Sequence, residues 1–178
     1  MDTSAAGGAL SGAEIHELIN SEPPLISGYS DLDAQLQPNG FDLTLAEVRS
    51  FTNGGTIGID NTSRILPDLE QIEPNSDGLI DLAPGPYHIT YVETVALPKG
   101  LMAFGRPRSS LTRSGVAIHT AVWDAGYSGR STSLLIVSNP FGFTVEKGAR
   151  VAQLVFVRLS QSAGKGYSGV YQGENVQR

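Results

Sequence analysis

The segment 106–130, RPRSSLTRSGVAIHTAVWDAGYSGR, contains the residues of this chain whose types and spacing best suit chemistry. Four of the chain's 12 basic residues lie in it, together with a single acid, Asp124; the basic residues are Arg106, Arg108, Arg113 and Arg130. The whole chain carries a formal charge of -6. A local cluster of arginines in an acidic chain favours a small polyanion over a nucleic acid, because a nucleic-acid backbone needs a broad basic face.

Within this segment, RSSLTR supplies two guanidinium groups and two adjacent hydroxyls, which are donors that bind phosphate oxygens. The carboxylate of Asp124 follows in the glycine-rich turn WDAGYSG. We interpret the pair as a phosphate clamp with an acid that orients water. The alternative interpretation is a solvated loop, which is the usual role of turns rich in arginine and serine.

Several other chemistries are excluded by motifs that the sequence lacks. It has no G-x-x-x-x-G-K-[S/T], no G-x-G-x-x-G and no G-x-S-x-G. It has no cysteine, which excludes disulfides, thiolate catalysis and cysteine-based zinc sites. His16, His88 and His119 are not spaced as metal ligands, and we expect each to be a surface residue or a satisfied polar residue. Phosphate chemistry through arginines, hydroxyls, a carboxylate and a divalent ion remains.

The elements that position these residues fit one domain covering residues 1–178. Hydrophobic residues make up 40% and charged residues 17%, as in a soluble globular protein. There is no apolar run of about 18 residues, as a membrane span would need, and no signal-peptide pattern at the start. We expect a cytoplasmic protein without nucleic-acid or membrane partners.

The capping box of Ser11 and Glu14 predicts a short helix from Ser11 to Asn20, after a loose tail at residues 1–10. After the helix, turn sequences alternate with short β-branched and aromatic runs; the runs are Tyr87–Val95, Val116–Val122, Leu134–Val137 and Val151–Leu159. This pattern predicts an all-β sandwich or barrel with one short N-terminal helix. Residues 161–178 are polar and glycine-rich, and are either disordered or a flexible C-terminal lid.

Several segments, in order along the chain, carry a resemblance to a known family. They are Gln37-Pro-Asn-Gly-Phe-Asp42-Leu-Thr-Leu, Leu97-Pro, Arg108-Ser-Ser-Leu-Thr-Arg113-Ser-Gly115, His119-Thr-Ala-Val-Trp-Asp124-Ala-Gly-Tyr127-Ser-Gly129, Lys147-Gly-Ala-Arg-Val-Ala-Gln153-Leu and Tyr171-Gln-Gly173. With these motifs the chain resembles the superfamily of dUTPases and dCTP deaminases, most closely its archaeal-type dUTPase branch.

The resemblance implies a β-clip fold, a jelly-roll-like distorted barrel, assembled as a homotrimer with active sites at subunit interfaces. It also implies the activity of a dUTP diphosphatase that uses Mg2+ and yields dUMP and pyrophosphate. By the same resemblance, Arg108, Ser109, Ser110 and Arg113 form the triphosphate clamp. Asp124 orients the attacking water and holds the 3′-hydroxyl, and Tyr127 lies against the deoxyribose so that no 2′-hydroxyl fits.

Further roles follow from the same motifs. The hairpin His119–Val122, including Thr120, is implied as the uracil slot, in which backbone groups read the base. Gln153 matches a position that reaches the substrate in deaminase-type relatives, and Tyr171 and Gln172 match part of the lid. Asp42 could touch the water shell of Mg2+. The alternative for Gln153 is a structural bond at a subunit contact, and the alternative for Asp42 is that it braces a turn. Trp123 is expected to be a core aromatic.

Hydrolase and deaminase share this scaffold, and one position separates them. The deaminases carry a glutamate that shuttles protons at a place occupied here by Leu134, and no acid lies between Asp124 and Glu146. Leucine cannot transfer a proton, so the sequence favours hydrolysis. The lysine common before Tyr-Gln in the lid is replaced by Val170, a place that Lys165 could fill. A dCTP deaminase, a bifunctional enzyme and a non-catalytic nucleotide-binding protein remain as alternatives.

Overall fold

The computed structural model describes residues 8–176. Its helices are α1 (Gly12–Ile19), α2 (Leu32–Gln35) and α3 (Ser109–Arg113), with one 3-10 turn at Asn61–Ser63. Its strands are β1 (Ile26–Ser27), β2 (Leu36–Gln37), β3 (Gly40–Phe51), β4 (Leu69–Ile72), β5 (Leu79–Leu82), β6 (Gly85–Tyr91), β7 (Thr94–Ala96), β8 (Leu101–Pro107), β9 (Val116–His119), β10 (Val122–Trp123), β11 (Ser128–Gly129), β12 (Thr132–Val137), β13 (Phe143–Glu146) and β14 (Arg150–Arg158).

The fold is mostly β, as predicted. The main antiparallel sheet has the order β10-β8-β14-β3-β6-β12-β9, with β2 and β4 also paired to β3. Two small sheets join β1, β7 and β11, and β5 and β13. Each predicted strand run contains strand structure, but the first is split into β6 and β7 and the second into β9 and β10.

The long strand β3 connects the two halves of the main sheet. Its first part pairs with β14 and its second part with β6 and β4. The register shifts between Leu45 and Glu47 against β6, and between Arg150 and Ala152 of β14 against β3. An extra residue in a strand bends it and increases its twist. These irregularities therefore allow one sheet to curl around a single core, which includes Phe41, Tyr91 and Phe156, each fully buried.

The N-terminal helix forms where the sequence predicts it. Ser11 is the N-cap of α1, and its hydroxyl accepts a hydrogen bond from the backbone N–H of Glu14 at 3.4 Å. The Glu14 carboxylate accepts in return from the Ser11 N–H at 2.8 Å, which completes the capping box. Asn20 is the C-cap.

The predicted loose tail at residues 1–10 is wrong for residues 8–10, and residues 1–7 lie outside the described part of the chain. Ala9 forms a β-bridge with Val157, and the Leu10 N–H donates to the Phe156 carbonyl at 2.9 Å. Leu10 is only 1% exposed. The segment is held because its leucine contributes to the core.

Helices α2 and α3 were not predicted, because each is too short to show an apolar repeat. No helix within residues 8–176 has the length and apolar character needed to cross a membrane.

Candidate functional site

An apolar cavity of about 450 Å³ lies beside the turn that carries Asp124. It is enclosed by the sheet, by the segment that precedes β4, and by residues 161–176, which we call the C-terminal tail. Its lining residues are Phe51, Leu66, Pro67, Leu69, His88, Ala121, Val122, Trp123, Asp124, Tyr127, Ser131, Thr132, Tyr167, Tyr171 and Glu174. We call it the aromatic cavity. Its volume falls in the range that holds small organic ligands.

Asp124 is exposed at the rim of the aromatic cavity, between β10 and β11. Its carbonyl accepts from the Tyr127 N–H at 3.0 Å, which closes a tight turn. Gly126 in this turn has a φ of +86°, and a Cβ there would lie 2.8 Å from the Cα of Gly166. Gly126 of the WDAGYSG motif is therefore required for two reasons, its left-handed backbone and the close approach of the C-terminal tail.

Tyr127 is 6% exposed and holds the tail against the turn. Its hydroxyl donates to Glu174 Oε1 at 2.9 Å, and its ring meets that of Tyr167 edge-on at a centroid distance of 5.8 Å. Burial, followed by the nearby Glu174 carboxylate, raises the pKa of the Tyr127 hydroxyl, which stays protonated and can donate. Burial likewise raises the pKa of Glu174, against the opposing effect of the Tyr127 hydrogen bond.

Further hydrogen bonds attach the C-terminal tail to the same turn. The Gln172 side chain donates to the Gly126 carbonyl and accepts from the Ser128 N–H, both at 3.1 Å. Ser128 also accepts from the Gly173 N–H at 2.7 Å. Tyr171 lines the aromatic cavity, and the guanidinium of Arg64 lies 5.8 Å from its ring centroid. The tail thus lies against the turn, and its role as a lid stays a prediction; residues 177–178 lie outside the described part.

The hairpin between β9 and β10 forms an outer wall. Val122 lines the aromatic cavity and also, with His119 and Thr120, a groove of about 520 Å³. Val122 is 51% exposed. A Cβ on Gly105 would lie 2.9 Å from Thr120 Cγ2, so the hairpin packs directly on this glycine of β8. Residues 119–122 thus border this open groove.

Trp123 is a core aromatic, as predicted. It is 4% exposed, and its indole N–H donates to Ser131 Oγ at 2.8 Å. Its buried ring forms part of the wall of the aromatic cavity.

A second, more open cavity of about 730 Å³ contains the arginine motif, and we call it the arginine cavity. Its lining residues are Gln37, Asp42, Pro107, Arg108, Ser109, Thr112, Arg113 and Gln153. Leu111 is buried and anchors α3, while Ser109, Ser110 and Arg113 are exposed on it. The motif is therefore an anchored helical turn and not a solvated loop.

Asp42 is 2% exposed at the base of the arginine cavity. Its Oδ2 lies 3.0 Å from Arg108 Nε and 3.4 Å from Arg150 Nη1. Burial raises the pKa of Asp42, and the two guanidinium groups act in the opposite direction. Asp42 therefore orients Arg108, and this structural role is the one that its contacts favour.

Gln153 of β14 lies in register with Asp42 of β3 and Arg106 of β8. It is half-buried and lines the arginine cavity. A Cβ on Gly40 would lie 2.7 Å from Gln153 Nε2, so the amide packs on that glycine. Gln153 thus shares the arginine cavity with Arg108 and Arg113.

The two cavities share no lining residue among those described. Asp124, Val122, Tyr127 and Tyr171 come together in the first, and Arg108, Ser109, Arg113 and Gln153 in the second. Within one chain, the predicted water-orienting acid and the predicted phosphate clamp are not brought to one cavity.

The sequence interpretation missed several residues of the aromatic cavity. Glu174 directly follows the Tyr171-Gln-Gly173 motif and could have been included with it. Phe51 and Leu66 carry no local pattern that marks them. For His88, the prediction of a surface or satisfied polar residue is wrong, since its Nδ1 is buried and has no hydrogen-bond partner in the described part of the chain.

Comparisons with known proteins agree with this architecture. A model of the family "dCTP deaminase-like" matches residues 9–159. A probable deoxyuridine 5′-triphosphate nucleotidohydrolase of Methanosarcina mazei is 46% identical over 94% of this chain and 98% of its own length. One from Archaeoglobus fulgidus is 48% identical over 94% of this chain and 97% of its own. The crystal structure of a 2′-deoxycytidine 5′-triphosphate deaminase from Agrobacterium tumefaciens matches with a TM-score of 0.64 and 25% identity, over 85% of this chain but only 49% of that one.

Proposed function

Because this chain belongs to the dCTP deaminase-like family, we propose that it is an enzyme that hydrolyses dUTP to dUMP and pyrophosphate. The observation that carries the proposal is the identity of 46% and 48% to probable dUTP nucleotidohydrolases over nearly the full length of both chains. Such an enzyme would act in the cytoplasm, where deoxynucleotides are made and used.

The aromatic cavity suits the nucleoside part of dUTP. Its walls are largely aromatic and aliphatic, with a few polar groups at the edge, as is typical of small-molecule sites. In the proposed complex, the backbone of residues 119–122 reads the uracil edge and the ring of Tyr127 lies against the deoxyribose. The C-terminal tail, with Tyr171 and Gln172, covers the bound nucleotide and excludes water.

Asp124 is the proposed catalytic residue. It is exposed at the rim of the cavity, where its carboxylate can accept a proton from a water that attacks the α-phosphorus. Such a carboxylate contributes mainly by holding that water in line, since orientation alone lowers the barrier substantially. The pyrophosphate group then leaves with its electron pair on the bridging oxygen.

Arg108, Arg113 and the hydroxyls of Ser109 and Ser110 are proposed to bind the triphosphate through charge-assisted hydrogen bonds. Because the arginine cavity and the aromatic cavity are separate in one chain, the clamp would come from a neighbouring copy. A homotrimer with sites between subunits provides such a neighbour, and Gln153 would reach the substrate from the same side.

Mg2+ is proposed as the cofactor, carried by the triphosphate. Within residues 8–176 no three histidine, cysteine, aspartate or glutamate side chains come together as a metal-binding group, and Asp42 is already paired with two arginines. This arrangement fits Mg2+, which keeps phosphate oxygens and waters as ligands. Bound there, the ion would neutralise triphosphate charge; contact of Asp42 with its water shell stays a prediction.

The alternative, deamination of dCTP, lacks a suitable residue at the expected place. Leu134 is half-buried in β12 and lies opposite His88 and His119 on the neighbouring strands. Neither residue opposite Leu134 is a carboxylate that could replace the missing glutamate, which favours hydrolysis over deamination.

The test measures pyrophosphate from dUTP and ammonia from dCTP, each with Mg2+ and after its chelation. We expect pyrophosphate from dUTP and no ammonia. Asp124→Asn should lower kcat at least about 100-fold, whereas Asp77→Asn, in an exposed turn, should not change it. Normal turnover by Asp124→Asn would reject the mechanism; ammonia from dCTP would favour a deaminase or bifunctional enzyme, and tight dUTP binding without turnover a non-catalytic binding protein.

A further inference from the structure

His88 lies in β6 on the face of the sheet that forms one wall of the aromatic cavity. It is in register with Arg49 of β3 on one side and Leu134 of β12 on the other. Its ring meets Phe51 edge-on, with the planes at 88° and the centroids 6.4 Å apart. The imidazole is thus fixed in orientation by neighbours on β3 and β12, the two strands that flank β6.

None of these neighbours is a hydrogen-bond partner for the ring. Leu134 is apolar and Phe51 offers only its ring, while the guanidinium of Arg49 donates to Glu47 at 2.6 Å. Nδ1 is the one buried side-chain nitrogen or oxygen without a partner among residues 8–176. Leaving a buried polar group unpaired costs free energy, so it calls for an explanation.

The ring can both donate and accept a hydrogen bond. Burial, followed by the positive charge of Arg49, lowers the pKa of His88 against the opposing effect of Glu47. The imidazole is therefore neutral at neutral pH, with one nitrogen as donor and the other as acceptor. Nδ1 is buried and His88 lines the aromatic cavity, so Nε2 is the ring nitrogen left to meet a molecule in the cavity.

We propose that His88 is a nucleoside-contacting residue, which hydrogen-bonds through Nε2 to the pyrimidine nucleoside part of a nucleotide bound in the aromatic cavity. The inference rests on the proposed function and adds a polar contact in a cavity whose lining is largely apolar. Because Nδ1 has no partner, no bond within residues 8–176 fixes the tautomer of the ring, so Nε2 can either donate to the ligand or accept from it.

The test separates contact with the nucleoside from contact with phosphate. Binding of dUMP and of pyrophosphate is measured for the wild type and for His88→Leu, His88→Gln and His88→Asn. We expect His88→Leu to weaken dUMP about tenfold, the effect of one lost hydrogen bond, and to leave pyrophosphate unchanged. Glutamine places an amide where Nε2 lies and asparagine where Nδ1 lies, so glutamine should restore most of the affinity and asparagine should not.

His16→Leu, on the exposed face of α1, is the matched control and should leave both affinities unchanged. Unchanged dUMP binding by His88→Leu, or an equal loss for dUMP and pyrophosphate, would overturn the inference while wild-type dUTP hydrolysis keeps the proposed function. A wild type that neither binds dUMP nor cleaves dUTP would overturn both. Should His88→Leu fail to fold, the 15N shift of Nε2 in the wild-type protein decides: a change on adding dUMP supports the contact and no change rejects it.

Discussion

At the residue scale, Tyr127 has two roles that substitutions can separate. Its hydroxyl binds Glu174, while its buried ring forms part of the aromatic cavity. Only the ring is proposed to exclude a ribose 2′-hydroxyl. A tyrosine that merely fastened the tail would act through its hydroxyl, so the two groups can be assigned by comparing phenylalanine with alanine at this position.

Tyr127→Phe should therefore keep the preference for dUTP over UTP, and Tyr127→Ala should lower it about tenfold, a usual loss when a shaped apolar wall is removed. The measurement is the ratio of kcat/KM values for the two nucleotides. Tyr87→Phe is the control, since it also loses one hydroxyl bond, to the Ala83 carbonyl, but lies outside the cavity. Equal ratios for wild type and Tyr127→Ala would remove Tyr127 from sugar recognition.

Glu174 gives the docked tail a pH dependence. Because its pKa is raised in the docked state, protonation favours docking. The stabilisation is complete below the ordinary glutamate pKa of about 4.3 and is lost as the pH rises through the higher pKa of the docked group. Tail docking should thus weaken towards neutral pH, and Glu174→Gln should remove this trend.

Amide exchange of Gly173 and Arg130 reports this docking, since their N–H groups bond across the contact, to the carbonyls of Ser128 and Glu174. Their protection factors should fall with rising pH in the wild type and stay level in Glu174→Gln. Glu17→Gln, on the exposed surface of α1, should behave as the wild type. A wild-type profile that does not change with pH would contradict the assignment.

At the scale of elements, the meeting of the WDAGYSG turn with the C-terminal tail depends on Gly126. An added Cβ would meet two penalties there, the left-handed φ of +86° and the contact at 2.8 Å with Gly166. Gly148 has nearly the same φ, +87°, but nothing within 4 Å of its added Cβ. Comparing alanine variants of Gly126 and Gly148 therefore separates the effect of backbone strain from the effect of losing the tail contact.

Both Gly126→Ala and Gly148→Ala should lower the free energy of unfolding by about 1 kcal/mol or somewhat more, through the strained backbone. Only Gly126→Ala should release the tail, seen as lost exchange protection of Gly173, and lower kcat/KM for dUTP. Release by both variants would mean that docking follows overall stability and not this contact.

The sequence predicts elements whose causes are local. The capping box of α1 lies within four residues, and the run Val151–Leu159 is β-branched enough to predict β14. Strand β3 was not predicted as a strand because it contains Asp42, Glu47 and Arg49, charged residues that are atypical of strand interiors. Glu47 and Arg49 pair with each other, but the partner of Asp42 is the remote Arg108. The neighbouring Thr44 donates its hydroxyl to the buried, equally remote Glu93 at 2.6 Å.

The same distinction applies to the candidate site. Asp124, Tyr127 and Arg108 stand in motifs that can be recognised along the chain. Phe51 and His88 reach the aromatic cavity only because β3 and β6 pair, and such pairing between distant segments leaves no short pattern in the sequence. Their contribution could be found only from the fold.

At the scale of the whole molecule, the separation of the two cavities predicts that activity depends on assembly. Asp124 belongs to the aromatic cavity and Arg108 to the arginine cavity. If each active site takes its acid from one copy and its clamp from the next, Asp124→Asn and Arg108→Ala chains damage different halves of a site. A site is then intact only where the aromatic cavity of an Arg108→Ala chain faces the arginine cavity of an Asp124→Asn chain.

Random assembly of equal amounts of the two inactive chains should place that combination at about one quarter of the sites of a closed ring. Co-refolded mixtures should therefore recover about one quarter of the wild-type rate of pyrophosphate release, although neither variant is active alone. Affinity-tagged wild-type chains, co-refolded with untagged Asp124→Asn chains, should retain the untagged chains on the affinity resin, and this control shows whether subunits mix. If the two variants give no recovery while this control exchanges normally, acid and clamp must act within one chain, and the two cavities would have to close onto one another when substrate binds.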